Sequence, residues 1–521
     1  MFDLAENHTP GNPNDPNPRE RRQGSRSDPA RSSQPQRRHG SRSDPARARS
    51  GRSQNIRPAG DPPAAVEPDR AARPGAPDAP RAAAFAVLQA VSELDAYANL
   101  VLPRQLSEAG LTGRDAALAT ELGYGTLRAT GTLDEILRRC ASRDLADIET
   151  PVLNLLRLGA YQLLRTRVPT HAAVATTVDL ARATGNVRAA GFVNAVLRKV
   201  SARDFDGWCD QIAEGASPLG RLALRYSHPG WIVAAFAEAL GEQESELPAA
   251  LAADDERPET HLVSWPGRIS RAELAAEAGG EAGPYSPYAV RLSSGGEPAA
   301  LAAIQRRLAG VQDEGSQLCA VALATLPLDG PDERWLDLCA GPGGKAALLA
   351  ALAAGRGARL TAQELHPHRA ELIARAVEGW DVEILVGDSR KREPDERGYD
   401  RVLLDAPCTG LGALRRRPEA RWRRTPADLP ELLSLQAELL ATALRLVRPG
   451  GLVGYVTCSP HLDETRRQIE RLLAERGDVE LVDARPAFAQ APGADGSPMV
   501  QLWPHRHGTD AMFFAALRRT G

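Results

Sequence analysis

The stretch Trp335-Leu336-Asp337-Leu338-Cys339-Ala340-Gly341-Pro342-Gly343-Gly344-Lys345 joins a short apolar run to a glycine-rich turn. The apolar run predicts a buried β-strand, and the apolar residues after the turn predict a helix over residues 345–354. Glycines at such a turn let the backbone approach a ligand closely, and the start of the helix offers free N–H groups. We therefore expect a ligand-binding loop made of Cys339, Ala340, Gly341, Pro342, Gly343, Gly344 and Lys345.

Predicted strands and helices alternate after this turn. Strands are expected at residues 358–364, 382–386, 400–405 and 452–457, helices at 367–377 and 429–447, and a final strand at 511–517. Strands that alternate with helices favour a parallel sheet covered on both faces. The fold class predicted for residues 313–521 is therefore α/β.

Two acidic residues stand where the next two strands end. Glu364 ends the second strand, where a carboxylate can accept hydrogen bonds from both hydroxyls of a ribose. Asp388 follows the third strand, where an acid can hold an adenine amine. The loop has the spacing Gly-x-Gly-Gly rather than Gly-x-Gly-x-x-Gly, which counts against a dinucleotide. The order of turn and acids predicts an adenosine-containing ligand.

Two cysteines follow the fourth and fifth strands, in Asp405-Ala406-Pro407-Cys408 and Thr457-Cys458-Ser459. The carboxyl ends of neighbouring parallel strands lie close together, so we expect both thiols beside the ligand. A single cysteine at a strand end is usually a small core residue. Two cysteines at the ligand edge of one sheet instead indicate chemistry.

Cytosine methylation at carbon 5 is a reaction that such a pair can carry out. Carbon 5 is a poor nucleophile until a thiolate adds to carbon 6 and turns the ring into an enamine that attacks an electrophilic methyl group. A second group must then remove the carbon 5 proton, and a carboxylate such as Asp405 can support the ring at N3. This chemistry leaves open which of the two thiols attacks.

The same motifs resemble those of the RsmB/Nop family of RNA cytosine-C5 methyltransferases. The resemblance rests on five motifs that follow one another in the family's order across residues 311–521: residues 337–345, residues 405–408, Arg415-Arg416-Arg417-Pro418 with Arg421-Trp422, Thr457-Cys458-Ser459, and His507-Gly508-Thr509-Asp510 before Phe513-Phe514. It implies a Rossmann-like class I methyltransferase domain over residues 313–521. Thr409 stands where serine is common in the family.

The resemblance also implies a cofactor and distinct roles. The cofactor would be S-adenosylmethionine, held by the glycine loop together with Glu364, Asp388 and Asp405. Cys458 would be the nucleophile at carbon 6, and Cys408 would assist proton removal and release of the enzyme.

Residues 81–213 show helical periodicity that is broken at Gly110–Gly113, Pro151, Pro169 and Gly185, so an all-α bundle is predicted. Residues 157–162 and 191–198 resemble the NusB-like RNA-binding domain that precedes the catalytic part in bacterial 16S rRNA members of the family. Ala175-Thr176 departs from the expected Asn-Glu. The implied partner is RNA, either 16S rRNA or a small-subunit assembly particle. Residues 225–312 are expected to form a small α/β linking module that also binds RNA.

Residues 1–80 are rich in Pro, Ser, Arg and Gly, which predicts a disordered tail. Residues 24–31 recur as residues 40–47, and residues 19–57 hold twelve arginines and three acidic residues. A solvated low-complexity segment is favoured over an electrostatic tether to RNA.

Bulk properties narrow the class of protein further. No apolar run is long enough to cross a membrane, and the N-terminus lacks signal-peptide features, so a cytoplasmic protein without a membrane partner is expected. We also expect the protein to be monomeric. The six cysteines are scattered, which argues against a disulfide framework and against a metal site. Residues 415–424 hold six arginines and Trp422. We expect this segment to bind phosphates, with Trp422 either stacking on a base or packing in the core.

Other functions compete with 16S rRNA methylation. The same chemistry can act on tRNA or 23S rRNA, since only family association favours 16S rRNA. An RNA-binding protein with a silent methyltransferase domain is disfavoured because Lys345, Glu364, Asp388, Asp405 and both thiols are intact. A small-molecule methyltransferase is disfavoured by the RNA-binding additions and the paired thiols.

Overall fold

A computed structural model describes residues 78–292, 298–493 and 497–521. These residues belong to one unit that spans residues 72–521. The predicted disordered tail and its repeat lie, apart from residues 78–80, outside the described residues.

The first part of the described chain is helical. Its helices are α1 (Ala79–Glu93), α2 (Ala98–Glu108), α3 (Gly113–Cys140), α4 (Thr150–Arg165), α5 (Thr170–Ala183), α6 (Ala190–Val200) and α7 (Phe205–Ile212). Pro151 lies in the first turn of α4 and Pro169 caps α5, so both prolines stand at helix starts, where no backbone donor is lost. Their apolar faces share one core around Leu133, Leu155 and Leu197. This arrangement is the all-α bundle that the periodicity predicted.

Three more helices precede a small sheet: α8 (Pro218–Arg225), α9 (Gly230–Leu240) and α10 (Leu247–Asp255). The small sheet and its helices are β1 (Thr260–Ser264), α11 (Arg271–Ala278), β2 (Glu281–Ala282), β3 (Ala289–Leu292), α12 (Ala302–Gln305) and β4 (Ala309–Val311). The strands are antiparallel in the order β2-β3-β1-β4. Helices α9 and α10 pack against Leu411, Leu414 and Trp503, so they share a core with the C-terminal part of the chain.

The C-terminal part is a larger α/β arrangement. Its elements are α13 (Glu314–Thr325), β5 (Arg334–Asp337), α14 (Gly344–Ala354), β6 (Arg359–Glu364), α15 (Pro367–Ala376), β7 (Val382–Val386), β8 (Tyr399–Asp405), α16 (Ala420–Arg423), α17 (Leu429–Leu446), β9 (Val447–Thr457), α18 (Arg466–Glu475), β10 (Val479–Val482), β11 (Val500–Gln501), α19 (Pro504–His507) and β12 (Phe513–Arg519). The sheet order is β10-β12-β9-β8-β5-β6-β7, with β11 paired to β12. Alternate residues of the strands enter opposite cores: Trp335, Leu403 and Leu452 face α13 and α14, whereas Leu336, Leu404 and Val453 face α17 and α18. The predicted α/β class, with both faces of the sheet covered, is confirmed.

The prediction of a wholly parallel sheet was wrong at its last strands. Strands β5 to β9 are parallel, but β12 runs antiparallel to both β9 and β10. The chain enters β12 at the carboxyl edge of the sheet, because Phe513 pairs with Thr457 at the end of β9 and the Ala511 amide donates to the Gly412 carbonyl. A strand that starts at this edge can only run away from it, so β12 must be antiparallel.

Among the described residues, no helix is long and apolar enough to cross a membrane. The same part of the chain contains no group of histidine, cysteine or acidic side chains arranged to hold a metal ion.

Candidate active site

The two predicted reactive thiols meet at the carboxyl edge of the large sheet. Strands β8 and β9 are parallel neighbours, with Asp405 opposite Val456, so the turns that follow them leave the sheet side by side. The Sγ atoms of Cys408 and Cys458 are 3.5 Å apart, and both side chains are partly exposed. All six cysteines are free thiols. The structure thus brings together two residues that stand 50 positions apart in the chain.

The pKa values of the two thiols are shifted in opposite directions. The hydrogen bond from Cys408 lowers the pKa of Cys458 below its usual value, against the opposing effects of burial and of the Asp405 charge. The positive charges of Lys345 and Arg417 lower the pKa of Cys458 further. The same hydrogen bond, burial and the Cys458 charge raise the pKa of Cys408 well above its usual value. Cys458 is therefore the thiol of the pair that ionises first.

Asp405 and Lys345 connect these thiols to the glycine loop. The Lys345 Nζ atom donates to Asp405 Oδ2 over 2.9 Å. Burial alone would lower the pKa of Lys345, but the neighbouring Asp405 carboxylate raises it above its usual value, so Lys345 stays charged. Asp405 keeps an exposed side, which leaves one face of its carboxylate free for a ligand.

The glycine loop closes against Glu364. The Gly341 amide donates to Glu364 Oε2 over 3.1 Å, and the His366 amide donates to Oε1 over 3.0 Å. A Cβ atom added at Gly341 would lie 2.2 Å from that Oε2, so only glycine fits there. Gly343 has φ +112° as it leads into α14, a conformation that L side chains rarely adopt. The structure therefore places the predicted loop and its predicted acid in direct contact.

Asp337 is a site residue that the sequence analysis did not single out. It ends β5 just before the loop, is fully buried, and neither of its oxygens has a hydrogen-bond partner within the described ranges. Burial, reinforced by the Asp405 charge, raises the pKa of Asp337 to about 8. An orphaned buried carboxyl is costly unless a ligand supplies its partner. Together with Glu364 and the loop amides, Asp337 fits an adenosine-containing cofactor. Its position at the end of β5, directly before the glycine loop, is the sequence signal by which it could have been found.

Asp388 lies at the same edge but is engaged within its own turn. Arg390 donates to both of its oxygens, over 2.9 and 2.8 Å, and lowers the pKa of Asp388. Ser389 donates to the Leu338 carbonyl over 2.6 Å, so this turn does border the loop. For Asp388 to accept an adenine amine, the Arg390 side chain must move aside.

Glu464 is a second residue that sequence reasoning missed. It is fully buried, and its Oε1 atom accepts from the Thr409 amide at 2.8 Å and from the Gln436 side chain at 3.1 Å. Its other oxygen accepts from the Thr409 hydroxyl. Because Thr409 follows Cys408, Glu464 fixes the turn that carries that thiol. A lone acid seven residues beyond the end of β9 offers no local signal of this role.

The arginine-rich segment at residues 415–424 was predicted to bind phosphates. In the structure, most of its cations form ion pairs with acidic side chains of the same chain. Arg415 and Arg416 pair with Asp510 over 3.2 and 2.9 Å, and Arg416 also pairs with Asp313 over 2.8 Å. Arg421 is 0% exposed and donates to Asp255 over 2.9 Å and to backbone carbonyls of the helical part. These three arginines join distant parts of the chain, so their charges are already paired inside the protein. The ring of Trp422 lies beside Gly131 of α3, where an added Cβ would come within 2.3 Å, and the rest of the ring is exposed.

Comparisons with known proteins agree with this geometry. The family model described as 16S rRNA methyltransferase RsmB/F matches residues 324–518, and the NusB family model matches residues 78–202. A Mycobacterium tuberculosis protein named as a methyltransferase is 55% identical over 445 residues, which cover 85% of this chain and 97% of that protein. The ribosomal RNA small subunit methyltransferase B of Klebsiella pneumoniae is 33% identical over 444 residues, 84% of this chain and 96% of that protein. The solved structure of PH0851 covers 85% of this chain and 99% of its own, with a TM-score of 0.71 and 22% identity, and it shows similarity of fold.

Proposed function

Because the chain belongs to the RsmB/F family of 16S rRNA methyltransferases, we propose that it methylates carbon 5 of a cytosine in 16S rRNA. Membership confirms the resemblance inferred from the motifs, including the NusB-like helical part. The cofactor of the family is S-adenosylmethionine, and its substrates are ribosomal RNA. The position on the base, the covalent route and the choice of RNA belong to the proposal.

The observation that carries the proposal is the thiol pair beside Asp405. A methyltransferase that acts on a nitrogen or an oxygen has no use for a thiolate hydrogen-bonded to a second thiol. Methylation at carbon 5 can use both, because one sulfur must add to carbon 6 and a second group, here a thiol, must later take the carbon 5 proton. The 3.5 Å distance between the two Sγ atoms supports a division of these two tasks between the thiols.

In the first step, Cys458 Sγ would bond to carbon 6, the carbon 5–carbon 6 π pair would become the carbon 4–carbon 5 bond of an enamine, and the carbon 4–N3 π pair would move onto N3. Asp405, which accepts from Lys345 over 2.9 Å, would in its acid form donate a proton to N3, and N3 would return this proton when the product forms. The glycine loop, Glu364 and Asp337 would hold S-adenosylmethionine, which would supply the electrophilic methyl group to carbon 5 and leave as S-adenosylhomocysteine.

In the second step, Cys408 becomes the base. Two causes of its raised pKa, the hydrogen bond to Cys458 and the negative charge on Cys458, disappear once Cys458 is bonded to carbon 6. Cys408 then releases its proton to solvent, through the exposed side of the pair, and takes the proton from carbon 5. The electrons of that C–H bond re-form the carbon 5–carbon 6 double bond and expel the Cys458 thiolate.

We also propose that different parts of the chain bind the RNA and carry out the methylation. Residues 81–213 and the linking module of residues 225–312 would bind RNA, and residues 313–521 would carry the chemistry. The name of the Klebsiella relative supports the small-subunit RNA as the substrate. Methylation of tRNA or 23S rRNA by the same site is the competing outcome.

The test is to incubate the full chain with radiolabelled S-adenosylmethionine and, in parallel, naked 16S rRNA, a small-subunit particle, 23S rRNA and tRNA. We expect label in 16S rRNA or its particle, 5-methylcytidine as the labelled nucleoside after digestion, and one protected cytosine in bisulfite sequencing. Label confined to 23S rRNA or tRNA would overturn the choice of substrate, and a different methylated nucleoside would overturn the chemistry.

A further inference from the structure

An exposed aromatic side chain stands on the loop between α1 and α2. Tyr97 is 44% exposed, and Leu94 and Leu100 beside it are also largely exposed. The guanidinium groups of Arg417 and Arg423 lie 5.7 and 5.1 Å from the centre of the Tyr97 ring. The loop between α1 and α2 and the arginine-rich segment therefore form one continuous surface.

The loop between α1 and α2 is held in position by hydrogen bonds and an ion pair. Arg423 donates to the carbonyls of Val91 and Ala96, over 3.2 and 2.7 Å, and pairs with Asp95 over 2.8 Å. Glu419 also accepts from the Ala98 amide at the start of α2 over 3.3 Å. These contacts use Arg423 within the protein and fix the position of Tyr97 relative to the catalytic part.

Arg417 differs from Arg423. Its side chain is exposed and has no carboxylate partner in the part of the chain that the structure describes. Its backbone lies close to the thiol-bearing turn, because the Arg417 amide donates to the Ala413 carbonyl over 3.0 Å and the Gly412 amide donates to the Cys458 carbonyl over 2.8 Å. Its positive charge also lowers the pKa of Cys458. A cation without a carboxylate partner among the described residues therefore lies near both the Cys458 turn and the exposed Tyr97 ring.

We propose that Tyr97 and Arg417 form a subsite for an unpaired nucleotide next to the target cytosine, with its base stacked on the Tyr97 ring and its phosphate on Arg417. The inference rests on the proposed function only in taking RNA as the substrate. Single-stranded RNA is held by this combination, an aromatic face for a base and a cation for the backbone. A cytosine that reaches Cys458 has left its stack, so its neighbour needs a new surface to cover its face.

The chemistry of the occupant follows from the surface itself. The apolar residues Leu94 and Leu100 alone would suit a protein partner, but the cations against the Tyr97 ring favour an anionic, planar ligand. Every base has such a face, so the subsite adds affinity without selecting a sequence.

The test is fluorescence anisotropy of a labelled single-stranded RNA oligonucleotide with the full chain over a series of salt concentrations. Tyr97→Leu is expected to weaken binding about tenfold, the size of one lost base stack, and Tyr97→Trp to restore it. Arg417→Gln is expected to lower the slope of log affinity against log salt by about 0.7, as the loss of one phosphate contact on a single strand predicts. Leu100→Ala, which removes a neighbouring and even more exposed apolar side chain without a π-face, is the matched control and is expected to bind as the unchanged protein does.

Two results overturn the subsite. One is unchanged affinity in Tyr97→Leu with an intact thermal transition, and the other is equal weakening in Leu100→Ala, which would indicate a general apolar surface. Failure of the subsite is distinguishable from failure of the proposed function, because the unchanged protein would still methylate 16S rRNA in the first case and would not in the second.

Discussion

Glu464 accepts hydrogen bonds from both the amide and the hydroxyl of Thr409, although 55 residues separate the two in the chain. Thr409 follows Cys408, and Glu464 lies in the segment that follows Cys458. One buried carboxylate therefore ties the two thiol-bearing turns to each other. The relative position of the sulfur atoms depends on this link.

Replacing Glu464 with glutamine is expected to slow release of the product. Glutamine keeps only one acceptor atom where glutamate has two, so at least one of the two Thr409 contacts is lost or reversed and the Cys408 turn is held less firmly. Turnover should fall about 10- to 100-fold, with a protein–RNA adduct accumulating on denaturing gels. Glu470→Gln changes an exposed acid of α18 and serves as the control. Loss of turnover without adduct would contradict a role that acts through Cys408.

Replacing Lys345 with methionine is expected to move the pH dependence of adduct formation upward. Cys458 attacks as a thiolate, and Lys345 lowers its pKa whereas Asp405 raises it. Without Lys345 the Cys458 pKa rises, so less thiolate is present at neutral pH and the rising limb of the pH–rate profile shifts to higher pH. Single-turnover rates from pH 6 to 10 at saturating cofactor measure this shift, with the exposed Lys391→Met as control. An equal loss of rate at every pH would argue against the electrostatic role.

Replacing Gly341 with alanine is expected to weaken cofactor binding. The added Cβ would lie 2.2 Å from Glu364 Oε2 and 2.9 Å from Arg369 Nε, so the carboxylate must leave the loop. An overpacking cost of about 1–3 kcal/mol corresponds to about a 5- to 150-fold loss of affinity. Calorimetric titration with S-adenosylmethionine measures it. In Gly355→Ala, at the end of α14, the new Cβ makes only ordinary contacts at 3.6 Å, so affinity should not change there. Unchanged affinity in Gly341→Ala would mean that the loop does not cradle the cofactor.

Arg421 and Arg424 are expected to behave differently although they lie in the same arginine-rich segment. Arg421 is fully buried and donates to Asp255 and to carbonyls of Arg128 and Asp254, so Arg421→Leu leaves these acceptors unpaired. A loss of about 3–5 kcal/mol of stability follows from breaking such a buried pair. Arg424→Leu, at a partly exposed position, should change the unfolding free energy by less than about 0.5 kcal/mol. Equal effects of the two variants in denaturant titrations would contradict the internal role of Arg421.

Local patterns predicted most of the sheet and its binding edge. The strands from β5 to β9 carry short apolar runs bounded by turns, and the glycine loop, Glu364 and both thiols stand at the ends of those strands. Parallel neighbours bring such ends together, so the 3.5 Å contact of Cys408 with Cys458 followed from topology. The sequence could not show which thiol ionises first, because that depends mainly on the hydrogen bond between the two thiols and, to a smaller extent, on the charges of Lys345 and Arg417.

Partners far apart in the chain explain what the sequence did not predict. The sequence predicted that the arginines of residues 415–424 bind phosphates, because it does not show their ion-pair partners. These partners, Asp255, Asp313 and Asp510, belong to other elements. Arg390 engages Asp388 from within one turn, which no periodicity reveals. The direction of β12 depends on where its preceding loop docks, beside Gly412, rather than on its own apolar pattern.

Covalent trapping of RNA by single-thiol variants tests the assignment of Cys458 most directly. Cys408→Ala, incubated with S-adenosylmethionine and 16S rRNA, is expected to accumulate a protein–RNA adduct that survives denaturing electrophoresis, because Cys458 still attacks but the base is missing. Cys458→Ala is expected to form neither adduct nor methylated RNA, and Cys140→Ala, a buried thiol of the helical part, is the control. An adduct in Cys458→Ala and none in Cys408→Ala would contradict the assignment and exchange the roles of the two thiols.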